Sequence, residues 1–170
     1  FGLMIETVRR TPPKKKEEVN EKARKALGKA FKESHPIINP KLDALPVARY
    51  FGNRDLYGAI KNPPVNLRFH PSLEYYDEHG KLLGSYPCIL APIVNPEGQM
   101  VSLHRTFLTN HGNKANVPSP KKLMVSMVSG ITRGGAIRLY DATDCLAVAE
   151  GIETAIAVHH NIQGLDENVS

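Results

Sequence analysis

Tyr86-Pro87-Cys88-Ile89-Leu90-Ala91-Pro92-Ile93-Val94 is a nearly continuous apolar run, the mark of a buried strand. It leads into Asn95-Pro96-Glu97-Gly98, a turn sequence, and then into Met100 to Leu108. In this second stretch Val101, Leu103 and Arg105 alternate with Ser102, His104 and Thr106, the period of a strand with two different faces. Two such runs joined by a short turn predict an antiparallel hairpin turning at Pro96-Glu97-Gly98, with Arg105 on its second strand.

Working outward from the hairpin, Leu67–His70 and Leu73–Tyr76 read as short strands, the latter followed by the turn Asp77-Glu78-His79-Gly80. A short helix is expected from Pro46 to Phe51, stopped by Gly52-Asn53, and Asn62-Pro63-Pro64 breaks the chain after it. From Glu17 to about Glu33 the apolar residues Val19, Ala23, Ala26, Leu27, Ala30 and Phe31 recur every three or four positions and predict an amphipathic helix. Lys22, Lys25, Lys29 and Lys32 lie off that face, as a solvated side of the helix or a contact to a nucleic-acid backbone. Thr11-Pro12-Pro13-Lys14-Lys15-Lys16 is an extended basic lead-in. Downstream, residues 109–122 read as a polar loop carrying Lys114, Lys121 and Lys122. Cys145–Ala149 is expected to be a short buried strand, Glu150-Gly151 its end, and Ile152–His160 a helix. The fold class is therefore α+β: N-terminal helices, an antiparallel hairpin region, and the start of an α/β unit.

The 170 residues are 41% hydrophobic and 23% charged, which supports a packed core and excludes a wholly disordered chain. No apolar stretch reaches the length of a membrane span, and no signal-like segment opens the sequence. Two cysteines, Cys88 and Cys145, are too few for a disulfide framework and read as small core residues, with the cytoplasm as the expected location. The net charge of +5 is uneven: residues 141–170 hold six acids and no Lys or Arg, so the body before them is strongly basic. Basic surface attracts phosphates, and clustered carboxylates can hold divalent cations.

In Leu146-Ala147-Val148-Ala149-Glu150-Gly151-Ile152-Glu153-Thr154-Ala155, an apolar segment ends in Glu-Gly and passes straight into a helix. Such a pattern sets a carboxylate at the edge of a sheet, where α/β folds bind ligands. This segment resembles the opening of a toprim domain, and Glu-Gly-Ile-Glu-Thr-Ala resembles that of plasmid- and phage-type primases and primase-helicases. Pro46–Phe51, Leu67–Pro71, Leu103–Leu108, Pro120-Lys121-Lys122 and Gly135–Leu139 resemble the same proteins in the same order.

The resemblance implies three parts: a basic lead-in and helix (1–35), a basic α+β primase-like subdomain (36–140) and the start of a toprim domain (141–170). It implies a DNA primase-type nucleotidyltransferase that binds single-stranded DNA and supports primer synthesis with Mg²⁺ or Mn²⁺. Glu150 would be the catalytic carboxylate and a metal ligand, with Glu153 a second acidic candidate. Arg105, Lys114, Lys121 and Lys122 would contact nucleic-acid or nucleotide phosphates. The partners implied are a single-stranded DNA template, ribonucleoside triphosphates and a helicase, with no membrane. Two departures stand against a complete enzyme: no Asp-x-Asp follows Glu150, and no Cys/His zinc ribbon precedes residue 20. A non-catalytic nucleic-acid-binding module with a vestigial toprim segment, or a toprim nuclease, are the alternatives. The seven histidines lack paired metal-ligand spacing, so no zinc site is expected. Phe69, Tyr75 and Tyr76 read as sheet packing before base stacking.

Overall fold

The computed structural model describes residues 20–126, 132–141 and 146–166, and side chains as far as Ile162. The lead-in Thr11–Lys16, the residues 17–19 and Cys145 lie outside the described residues, as does the stretch 127–131. The chain is α+β, with a five-stranded antiparallel sheet in the order β1-β2-β3-β4-β5. The strands are β1 (His35–Pro36), β2 (Arg68–Tyr76), β3 (Leu82–Val94), β4 (Met100–Phe107) and β5 (Lys121–Leu123). Helices α1 (Glu21–Glu33), α2 (Pro40–Asp43), α3 (Leu45–Gly52), α4 (Tyr57–Lys61) and α5 (Ile152–Asp166) surround it.

The hairpin forms as the sequence predicts: β3 and β4 pair antiparallel, with Leu90 opposite Arg105 and Ile89 opposite Thr106. Its turn is closed by Asn95, whose Oδ1 accepts the Gln99 amide at 2.8 Å, and by Gly98 at φ 80°, a conformation that favours glycine. The two short strands expected at 67–76 are one strand with an irregular register between His70 and Leu73. Pro71 has no N–H for the ladder, and the Ser72 amide turns instead to His70 Nδ1 at 3.2 Å. Strand β3 begins four residues before Tyr86, because Leu82 pairs with Tyr76 once Asp77 Oδ1 has captured the amides of His79 and Lys81.

The strand period of two sorts the sheet's side chains into two cores. On one face Cys88, Leu90, Leu103 and Phe107 pack with Leu27 and Ala30 of α1. Asn20 caps α1 by accepting the Ala23 amide at 3.0 Å, and Ala23, Leu27 and Ala30 form its buried stripe. Ala26, expected on that stripe, is exposed, and the four lysines of α1 are exposed as expected. On the opposite face Phe69, Ile89 and Ala91 pack with Val47, Tyr50 and Phe51 of α3, Ala59 of α4 and Ile156 of α5.

A further segment departs from its expectation. Residues 146–149 form no strand, and Leu146 and Val148 are 75% and 86% exposed. A strand persists only where its backbone groups find a ladder partner, and none pairs with this segment among the described residues. No helix among the described residues is long and apolar enough to cross a membrane.

Candidate functional site

Lys121 and Lys122 stand on strand β5 rather than in a loop, so they point to opposite faces of the sheet. Lys122 sits opposite Arg105 on the α1 side, its Nζ 4.2 Å from the Tyr75 ring centre and donating to the Tyr76 carbonyl. Arg105 is half-buried there; its Nη2 donates to the Leu123 carbonyl at 2.8 Å, and burial holds its pKa below the usual arginine value. Lys121 projects to the other face, toward α5. The four cations expected to act together therefore divide into Arg105 with Lys122 and Lys114 with Lys121.

Lys114 and Lys121 line an open depression of about 420 Å³ together with Arg54, Leu56, Glu153 and Thr154. At its centre Lys121 Nζ donates to both carboxylate oxygens of Glu153, at 2.6 and 2.8 Å. The Tyr50 hydroxyl donates to Glu153 Oε1 from within the α3 core, where Tyr50 is 1% exposed. The Arg54 guanidinium lies 3.7 Å from the Tyr50 ring centre, a cation–π stack, and donates to the Tyr50 carbonyl at 3.3 Å. Burial by itself would raise the Glu153 carboxyl, but the hydrogen bonds from Lys121 and Tyr50 and the Lys121 charge hold it at about 2. Tyr50 moves the other way: burial, then its bond to Glu153 and that carboxylate's charge, keep the phenol protonated far above its usual value.

Lys114 is exposed in the loop after β4, and the loop is fixed to α3. Arg49 Nη1 donates to the Asn110 carbonyl at 2.7 Å, and Asn53 Nδ2 to that of His111 at 3.3 Å. Gly112 makes the close approach possible: at φ 77° it lies so near α3 that a Cβ would sit 2.5 Å from the Arg49 carbonyl carbon and the Tyr50 nitrogen. Helix α5 is anchored a second time near its middle. There His159 stacks on Tyr140 at 3.5 Å, and the Tyr140 hydroxyl meets His160 Nε2 at 3.1 Å.

Glu150 is exposed just before α5 and is not among the residues lining the depression. Glu153 is the carboxylate at its centre, with both oxygens engaged by Lys121. That donor set fits an ion pair rather than a divalent cation, and no group of three or more His, Cys, Asp or Glu suited to a metal occurs among the described residues. Phe69 and Tyr75 are buried in the two cores, while Tyr76 is 42% exposed with its hydroxyl on Glu74.

Sequence reasoning missed Tyr50 and Arg54. Tyr50 falls at an apolar helical position and reads as core, and Arg54 carries no motif, so neither offers a signal before the chain is folded. Comparisons with curated proteins and with solved structures gave no match. Residues 15–139 match the family described as Domain of unknown function (DUF7146), and the chain belongs to that family.

Proposed function

We propose that this chain binds single-stranded nucleic acid through phosphate contacts from Arg54, Lys114 and Lys121, as the basic subdomain of a toprim primase-type enzyme. One observation carries the proposal. Three cations from separate elements, one just after α3, one in the loop after β4 and one on β5, meet in one open depression beside the first turn of α5. Neither Arg54 nor Lys114 enters a salt bridge among the described residues, so the depression keeps an excess of two positive charges over the Lys121–Glu153 pair. Lysines offer point charges and arginine a planar fork, and both serve backbone phosphates without reading sequence. Glu150-Gly151, the residues of the toprim resemblance, directly precede the helix that closes this depression.

In the primase reading the partners are a single-stranded DNA template, ribonucleoside triphosphates and a helicase, and the chemistry is phosphodiester formation. Mg²⁺ or Mn²⁺ would supply the charge stabilisation of phosphoryl transfer. Glu150 offers that ion one exposed carboxylate, and a single carboxylate holds Mg²⁺ only with help from substrate phosphates. Glu153 does not fit the ligand role, because Lys121 occupies both of its oxygens. That engagement favours the second reading, a nucleic-acid-binding module without catalysis. Arg105 and Lys122 belong to the opposite face of the sheet and are not part of this contact.

Fluorescence anisotropy with a labelled single-stranded oligonucleotide tests the binding. Lys114→Ala combined with Lys121→Ala should weaken affinity at least about tenfold near 0.1 M salt; an unchanged affinity contradicts the proposal. Template-directed incorporation of labelled ribonucleotides with Mg²⁺ or Mn²⁺ separates the two readings. Synthesis that Glu150→Gln abolishes supports the primase, and oligonucleotide binding with no synthesis supports the module.

A further inference from the structure

We infer that Glu153 is a built-in counterion occupying the seat of a phosphate dianion, and that an incoming phosphate exchanges with it at Lys121 and loosens the first turn of α5. The inference rests on the phosphate-binding reading of this depression and adds to it the class of anion and a regulating residue.

The seat is described by its donors. Lys121 Nζ and the Tyr50 hydroxyl converge on one carboxylate; the α3 core holds the Tyr50 side chain, and the β5 ladder fixes the backbone from which the Lys121 side chain reaches. The buried Tyr50 hydroxyl does not need to reorganise for a different anion of similar size, and the four-carbon stem of Lys121 lets its ammonium follow. Arg54 and Lys114 line the same depression and remain without an acidic partner among the described residues. One carboxylate charge thus faces three cations. A phosphate dianion would offset two of the three charges and offer more acceptor oxygens than Glu153 does. A phosphodiester monoanion would offset no more charge than Glu153 does already, so the dianion of a phosphate monoester or of inorganic phosphate is the better competitor.

The competitor is also placed to act on structure. Glu153 is the second residue of α5, and the Ala155 amide bonds the Gly151 carbonyl at 2.9 Å in the same turn. The other anchors of α5, Ile156 in the core and the Tyr140–His159 stack, do not depend on the ion pair. Exchange at Lys121 would therefore free the first turn while the rest of the helix stays docked. Around the exchange site the charged and titratable groups are Lys121 and His104 from the sheet, Lys114 from the loop, and Arg54 and Tyr50 from the α3 region.

The experiment is a titration of the full chain with inorganic phosphate at constant ionic strength, followed by NMR, with amide exchange read at Ala155–Ala157. Wild type should bind saturably, and phosphate should raise exchange at those three amides at least threefold. Glu153→Gln removes the competing charge and should tighten phosphate about five- to tenfold, while Lys121→Met should weaken it more than tenfold. Glu153→Gln binding phosphate no better than wild type overturns the inference. So does phosphate binding that leaves the exchange of Ala155–Ala157 unchanged, a readout on the wild-type chain that needs no variant to fold. A 5′-phosphorylated oligonucleotide and the same oligonucleotide without the phosphate form the second arm. A rise in exchange with the phosphorylated oligonucleotide alone identifies a nucleic-acid end as the source of the anion, no rise with either identifies free phosphate, and equal rises with both overturn the assignment to a dianion. If Lys114→Ala with Lys121→Ala leaves oligonucleotide affinity unchanged while phosphate still displaces Glu153 in wild type, the nucleic-acid reading fails and the exchange stands. The reverse pattern removes the exchange alone.

Discussion

Glu153 and Tyr50 form one unit although 103 positions separate them in sequence. Their pKa displacements are opposed: burial first, and then the bond to Glu153, raises the Tyr50 phenol, while burial of the Glu153 carboxyl is outweighed by the hydrogen bonds from Lys121 and then Tyr50, which lower it. The stability that Glu153 contributes follows from its sign. Its carboxyl is lowered from 4.5 to about 2, so its contribution is complete above about pH 4.5 and is lost as pH falls through 2. Glu153→Gln should lower stability by roughly 1 kcal/mol near pH 6, since the pair is only partly buried. The gap between wild type and variant should shrink between pH 4.5 and 2, read as urea midpoints of both proteins. A gap independent of pH would mean the carboxylate's charge does not stabilise the fold. Glu153 was visible in the sequence as the second acid of a Glu-Gly-Ile-Glu segment, but its partner was not. A tyrosine at a core-facing helical position looks like packing until the hydroxyl's neighbour is known.

At the scale of elements, the long periodic segments were legible and the short ones were not. The β3–β4 hairpin carries an apolar run and a turn signal, and α1 carries a repeating buried stripe, so both followed from pattern. Strand β5 has three residues, too few to show a period, and for that reason Lys121 and Lys122 read as one loop cluster instead of opposite faces. Residues 146–149 show the reverse failure: a strand-like composition without a ladder partner among the described residues remains exposed. The loop that carries Lys114 depends on its contact with α3, and Gly112 is the residue that allows it. Gly112→Ala combines a positive φ with a backbone contact that a Cβ cannot share, and should cost roughly 3 kcal/mol in urea denaturation. The same variant should weaken oligonucleotide binding by displacing Lys114. A loss below about 0.5 kcal/mol would show that the loop yields and is not what positions that lysine.

Across the whole molecule, the sheet is a partition. The α1 side holds Arg105 and Lys122, one bound to a backbone carbonyl and the other laid over Tyr75. The opposite side gathers Arg54, Lys114 and Lys121 into an open depression closed at one edge by α5. The composition showed a basic body and an acidic end, and the fold turns that contrast into one place, where Glu153 from the acidic end meets Lys121 from the basic body. The most direct test of the central claim is the salt dependence of single-stranded oligonucleotide affinity for three proteins. Each phosphate that a cation neutralises contributes a slope of about 0.7 in log affinity against log salt. Lys114→Ala with Arg54→Ala removes the two cations of the depression that have no acidic partner among the described residues and should flatten the wild-type slope by roughly 1.4, while Lys122→Ala should leave it as it is. Equal slopes for wild type and the double variant, or flattening by Lys122→Ala alone, would contradict the assignment of phosphate binding to the α5 face.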